Sequence, residues 1–370
     1  MSDGSGGRGR YAAVTNHDRH YRPLPPLPPF TAQIGANLRS VYRLCLVAVA
    51  TLTACGGQKQ GPEAFRVALV TPGSIADAAW NSGAYAGLMM IKDSLGVPVS
   101  QVEARTPGEQ EEQLRTYAAQ GYAVIFGHGF EFQDAAERVA QQYPDAVFVI
   151  TSGSRVAGNV VPLIYRLGEA TYLAGMVAGT LSKTGQIGFV GGIELPPVKQ
   201  GYEAWAAGAR SVNPEIQSRE TYLNNFDDAV AGREAALAMI RLGVDMLHHN
   251  ADAAGLGVFQ AAKENPGVYV FGANADQSSL APDRVPGSAV IDLPRSFMLI
   301  AREVKEGRFT PRVEAFGLES GVVRYVPNPV LDSLMSPELK ARLAAAADSI
   351  IAGTLRPVDY TTGEVTPRNR

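Results

Sequence analysis

The chain is predicted to be an α/β protein of two doubly wound parallel-sheet lobes joined by a hinge. Three observations carry this. Short apolar runs alternate with helical patterns from about residue 64 to 357, and such alternation favours parallel strands linked by crossover helices. The strands suffice for two sheets of about five, against a mean of about 5–6 strands for one sheet. The third observation is the stretch from Lys183 to Gly208, KTGQIGFVGGIELPPVKQGYEAWAAG. Here a turn (Lys183-Thr184-Gly185), a buried strand (Gln186 to Val190) and the Gly191-Gly192 turn precede a helix from Pro197. That helix carries Val198, Tyr202, Trp205 and Ala209 on one side. A strand, a glycine turn and a helix offer a ligand site at the strand's carboxyl end, and this unit is expected to open the second lobe.

In the first lobe, Arg66–Thr71 reads as a buried strand, followed by a loop around Asp77 and a helix from Trp80 to Leu95. A strand at Val97–Ala104 leads to Pro107, which opens a helix whose acidic first turn complements the helix dipole. Strands at Tyr122–Phe126, Ala146–Ile150 and Val160–Tyr165 follow, with a helix Phe130–Tyr143 between the first two. A helix Glu169–Leu181 leads into the Lys183 stretch. The second lobe continues with strands near Ile216–Tyr222, Val244–His248 and Val268–Phe271, separated by helices Asp227–Leu242 and Gly257–Glu264. A helix Pro294–Glu306, a strand region Phe316–Tyr325 and a helix Pro337–Ile351 complete the pattern. The expected division is residues 64–165 plus about 292–328 for the first lobe, and 166–291 plus about 329–357 for the second. Residues 358–370 form a tail.

Residues 1–36 are rich in Gly, Arg and Pro, and are expected to be a disordered or non-translated extension. Arg39 and Arg43 then precede an apolar run ending in Leu52-Thr53-Ala54-Cys55, the parts of an export signal over 37–55. The run is shorter than the roughly 20 apolar residues a membrane helix needs. Leu-Thr-Ala-Cys resembles a lipobox, which makes Cys55 the expected lipidation site and residues 56–63 a polar linker. The chain is thus expected to be exported and lipid-anchored to an envelope membrane, facing the periplasm or the exterior. Its net charge of −3 and lack of basic clusters argue against nucleic acid as a partner.

Open parallel sheets bind ligands beyond the carboxyl ends of their strands. The polar residues there are Asp77, Asn81, His128, Asp134, Thr151, Ser152 and Ser154 in the first lobe. The second lobe contributes Glu194, Asn224, Asn225, Asp227, Asn250, Asp252, Asn274, Asp276 and Gln277. Trp80, Phe130, Tyr202 and Trp205 lie near these loops and are candidates to stack on a flat ring. Other readings stand beside these: Asp77 and Asp227 as helix caps, Asp134 as a solvated helix residue, Trp205 as core. His248 and His249 are strand neighbours and point to opposite faces, so no metal site is expected, nor any cofactor. No G-x-S-x-G elbow, Walker loop or H-E-x-x-H occurs, and binding rather than catalysis is expected. A carboxylate pair of the glycosidase kind stays open as an alternative.

Several ordered motifs between Arg66 and about Pro327 are similar to those of the basic membrane protein family. These are exported lipoproteins that serve as substrate-binding components of ABC importers and include purine nucleoside receptors. The motifs are Asp77-Ala78-Ala79-Trp80-Asn81, Gly129-Phe130-Glu131-Phe132-Gln133-Asp134, Tyr172-Leu173-Ala174-Gly175, Lys183 through Gly192, and Asp276-Gln277-Ser278 with Leu280-Ala281-Pro282-Asp283. The resemblance implies a fold like that of type I periplasmic binding proteins, a nucleoside-like solute and an ABC permease as partner. It implies that Asp77 and Asp134 contact the ligand near its base and that the Asp276 loop lies by the sugar, with Asn274 in place of a usual aspartate. Two departures stand out: Gly201, next to Tyr202, falls where the family has a stacking phenylalanine, and Ile291-Asp292 falls near a usual lysine. The ligand-binding set read from the sequence is therefore Asp77, Trp80, Asn81, Phe130, Asp134, Tyr202, Asp252, Asn274 and Asp276. A sensory module for a membrane kinase is the alternative role, and an exported hydrolase a further one.

Overall fold

The computed structural model describes residues 65–358. The extension, the signal, Cys55, the linker and the tail beyond Val358 lie outside the described residues. The first sheet has the strands β1 (Val67–Thr71), β2 (Val99–Glu103), β3 (Val124–His128), β4 (Val147–Thr151), β5 (Val160–Tyr165) and β11 (Glu314–Phe316), in the order β11-β5-β4-β3-β1-β2 and all parallel. The second has β6 (Gln186–Gly191), β7 (Gln217–Tyr222), β8 (Met246–Asn250), β9 (Tyr269–Asn274), β10 (Gly287–Ile291) and β12 (Val323–Pro327), in the order β12-β10-β9-β8-β6-β7. In each sheet the order reverses beside the first strand, which leaves a crevice at the carboxyl ends of the neighbouring strands. β1 and β3 are buried along their whole length, as expected of strands covered on both faces.

The helices begin where local chemistry starts them. Helix α1 is Trp80–Leu95 and α2 is Pro107–Ala119. The latter opens with a capping box in which Thr106 accepts from Glu109 N and Glu109 reaches back to the Thr106 amide. The expected helix at Phe130 instead starts as a single 3₁₀ turn, Phe130–Phe132, before α3 (Gln133–Ala140). Next come α4 (Leu167–Leu181), α5 (Pro196–Val212), α6 (Ala229–Arg241), α7 (Gly255–Glu264), α8 (Leu293–Lys305) and α9 (Pro337–Ile351). Asp228, Asp292 and Ser336 cap α6, α8 and α9, each accepting a backbone N–H three residues on. The turn before β6 is held by buried Asp245, which accepts from Ser182 Oγ at 2.6 Å, Lys183 N at 2.7 Å and Thr184 N at 3.1 Å.

The chain passes between the sheets three times, at 165–167, 291–293 and 316–323. Helix α8 returns to the first lobe, where Phe297 stacks on Phe126 with centroids 4.1 Å apart. Helix α9 packs on α4 in the second. One boundary differs from expectation. Val323–Pro327 belongs to the second lobe, because β12 pairs antiparallel with β10. A lone edge strand carries no signal of which sheet it will join, and the short turn Leu318–Ser320 is enough to switch it. The crossings are pinned together by Arg166, which pairs with Glu169 and Glu319, while Glu169 accepts from Leu318 N at 2.7 Å.

Candidate functional site

The crevice between the lobes contains two adjoining chambers. The inner one, a narrow space of about 80 Å³, is lined by Trp80, Phe130, Glu131 and Tyr165 from the first lobe, and by Phe226, Asn250, Asp252 and Asn274 from the second. The outer one, about 310 Å³, is lined by Asp77, Asn81, Arg105, Gln110, Asn224 and Asp227. Glu131, Phe226 and Asp252 border both. The outer volume lies at the lower end of the range of sites for small molecules. A third groove, beside Tyr202 and Leu355, lies on the flank of the second lobe away from this crevice.

Backbone strain marks the same place. Among the described residues, the non-glycine positions with positive φ are Ala78, Ser152, Asn224, Asp252 and Asn274. All five stand in the loops at strand ends that meet at the crevice. Each such residue costs of order 1–3 kcal/mol, and strain of this kind collects where a ligand is held.

Trp80 is held from behind. His128 stacks on it with centroids 4.1 Å apart, and Tyr165 meets it edge-on at 6.2 Å. His128 Nε2 donates to the Trp80 carbonyl at 3.0 Å and Nδ1 accepts from Thr151 Oγ1 at 3.0 Å. A carbonyl can only accept, and this fixes the tautomer. Burial without a charged partner pushes His128 down to about 3, so the ring is neutral. On the opposite wall, Phe226 lies directly over Gly192, where any side chain would strike its ring. Gly192, just after β6, is what lets that ring down onto the loop.

Asp77 is buried, and both its oxygens are occupied. It accepts from the amides of Ala79, Asn81 and Ser82 and from Asn81 Nδ2, at 2.6–3.1 Å. It therefore caps α1 and aims Asn81. Asp252 is 7% exposed, sits at φ 45° between β8 and α7, and its carboxylate has no partner among the described residues. Burial first, then the charges of Asp77, Glu131 and Asp227, hold its carboxyl well above the usual range. Burial likewise pushes Glu131 up to about 7. Across the rim, Arg105 of the first lobe pairs with Asp227 of the second at 2.7 Å. That pair is exposed and bridges the lobes.

Of the residues expected from the sequence, Trp80, Asn81, Phe130, Asp252 and Asn274 line the crevice, and Asp77 lies at its edge. Three do not. Asp134 is on the surface of α3, paired with Arg155 at 2.9 Å, because the 3₁₀ turn before it swings Glu131 inward instead. Tyr202 lies outside the crevice, its hydroxyl 3.0 Å from Ser218 Oγ and its ring beneath Lys199. Asp276 is exposed and accepts from Ser278 N and Oγ within its own turn. Gly201 faces Phe189 in the core, so no side chain at that position would reach the crevice. Trp205 is fully buried core. His248 and His249 diverge, the first toward Trp205 and Phe189 and the second toward Phe259 and Gln277.

Sequence reasoning missed Phe226 and Glu131 as lining residues. Phe226 directly follows Asn224-Asn225 in a strand-end loop, and counting aromatic as well as polar residues there would have found it. Glu131 stood inside the quoted Gly129 motif but was read as part of a helix.

The comparisons with known proteins agree with this architecture. Residues 64–355 match the model of the Bmp family, described as ABC transporter substrate-binding protein PnrA-like. The chain is 31% identical over 325 residues to basic membrane protein A of Borreliella burgdorferi, covering 85% of this chain and 94% of that protein. It is 26% identical over 310 residues to a purine-binding protein of Brucella abortus, covering 82% and 88%. A crystal structure of an ABC transporter solute-binding protein from Aeropyrum pernix superposes with a TM-score of 0.73 at 22% identity, over 80% of this chain and 93% of that one, and shares the fold. The two parallel-sheet lobes with a crevice between them and the match over nearly the whole described body lead to one assignment: the chain belongs to the Bmp family of PnrA-like ABC transporter substrate-binding proteins.

Proposed function

We propose that the protein captures a nucleoside-like solute between its lobes and presents it to the permease of an importer, while Cys55 anchors it by lipid to an envelope membrane. The observation that carries the ligand reading is the inner chamber. Trp80 and Phe130 on one wall and Phe226 on the other supply faces for a flat ring. Asn250 and Asn274, at the ends of β8 and β9, supply amides for polar substituents. The relative named as a purine-binding protein supports the same reading. Ligand bridging both walls would favour the closed arrangement, since only a solute that binds that arrangement better can shift the lobes toward it.

A thermal-shift panel of nucleosides, nucleobases and monosaccharides on the purified protein tests this. A nucleoside is expected to raise the melting temperature, as any ligand of the folded state must. Trp80→Ala and Phe226→Ala are each expected to weaken that binding by about tenfold or more, by loss of a stacking face. If no nucleoside or nucleobase shifts the transition, the ligand reading is wrong. In cells, Cys55→Ser is expected to move the protein out of the membrane fraction, and unchanged partition would remove the anchor.

A further inference from the structure

We propose that the solute carries a positively charged nitrogen that docks on Asp252. This rests on the reading of the crevice as a solute site and names the charge class of its ligand.

The polar side chains left without partners deep in the crevice include several acceptors. The Asp252 carboxylate is more than nine-tenths buried, unpartnered among the described residues, and borders both chambers. Asn81 Oδ1 and Gln110 Oε1 are buried without partners on the outer chamber's wall. Their orientation is set by their other ends: Asn81 Nδ2 donates to Asp77 at 2.9 Å and Gln110 Nε2 to the Ala104 carbonyl at 3.4 Å. Neither of those partners can donate, so it is the amide oxygens, not the nitrogens, that are left without a partner. Glu131 adds a second carboxyl on the same border.

Positive charge is scarce there. The residues lining the inner chamber include two acids and no Lys, Arg or His. Arg105 in the outer chamber is engaged by Glu103 and Asp227. A buried carboxylate without a cation is costly in the free protein, and the cost is relieved when a cation arrives. The aromatic faces of Trp80, Phe130 and Phe226 strengthen the same preference, since ring faces attract cations. Asp252 also holds a strained backbone, φ 45°, of the kind that collects at ligand-binding loops. Binding of a cation would also draw the raised Asp252 carboxyl down and release a proton to solvent.

Calorimetry on matched pairs of ring compounds that differ in charge provides the test: 1-methyladenosine against adenosine, 1-methylnicotinamide against nicotinamide, and tryptamine against tryptophol. The charged member of at least one pair is expected to bind about tenfold tighter or more than its neutral partner, with proton release visible as a dependence of the heat on buffer. Asp252→Asn keeps the shape, and should abolish the preference for the charged member over its neutral partner. Circular dichroism of this variant, with Asp252→Ala alongside, checks that the fold is retained. Equal or tighter binding of the neutral members, or a preference that survives in both variants, overturns the proposal and leaves the solute reading standing. No binding by any compound of the panel, adenosine included, overturns both.

Discussion

Gly208→Val is expected to destabilise the second lobe by upwards of about 4 kcal/mol, the range reserved for changes that leave no room to relax. Helices α4 and α5 cross backbone to backbone. A Cβ on Gly208 would lie on the carbonyl oxygen of Tyr172, and one on Gly175 on the carbonyl of Trp205. Both obstacles are main chain, so no side-chain rotation can relieve them, and separating the helices would open the core around Trp205 and Val177. The same helix holds its own control. At Gly201 an added Cβ would only reach ordinary contact with Phe189, at 3.9 Å. Gly201→Ala is therefore expected to be neutral or to stabilise, by up to about 1 kcal/mol of helix propensity. Denaturant titration of both variants decides it, and a Gly208→Val protein within about 1 kcal/mol of wild type would refute this account of the helix crossing.

The second large effect is on pH dependence. His128, His248 and His249 are buried and held neutral, down to about 3, about 3 and about 4 from an ordinary 6.5. In each case burial is the main cause, with the neighbouring His249 adding to it at His248. Their folded values lie below the unfolded ones, so in acid the unfolded chain binds more protons. The stability they confer is present above about pH 6.5 and lost as pH falls toward 3–4. Asp252 and Glu131 act in the opposite sense. Their folded values are raised, so the native state binds the extra protons, and stability falls as pH rises through the window above their ordinary values of 3.8 and 4.5, ending near 7 for Glu131.

Two results are expected. The wild-type protein without added solute should lose a few kcal/mol between pH 6.5 and 4.5, because three histidines outweigh two acids. The Asp252→Asn, Glu131→Gln double variant should gain on wild type steadily from pH 5 to 8, as two unfavourable buried charges are removed. Denaturation midpoints across that range measure both. A difference between variant and wild type that does not change with pH would show that these carboxyls are not perturbed as described.

Much of the fold could be read from local pattern. KTGQIGFVGG formed the expected strand and glycine turn, and Pro107 and Pro337 opened helices where expected. The strand-end rule also selected the loops that border the crevice, and every strained non-glycine residue described lies in one of them. Within those loops it selected side chains less well. Asp134 and Glu131 are three residues apart in one motif, and a single 3₁₀ turn decides that the glutamate faces the crevice and the aspartate faces Arg155. Gly201 and Phe226 show the same limit over a longer distance. One turn of helix sends position 201 into the core, while the second wall's ring comes from a different loop altogether.

By itself, then, the sequence determined the element order, the two-lobed α/β class and the loops that border the crevice. The periods of strands and helices, prolines, caps and glycine turns are properties of neighbouring residues, so they are legible along the chain. Tertiary structure decided that β12 joins the second sheet, that Phe226 and Trp80 border one chamber, and that Asp252 is buried there without a partner among the described residues. Those outcomes depend on which distant segments meet and on the φ of single residues such as Asp252, and neither leaves a periodic trace in the chain.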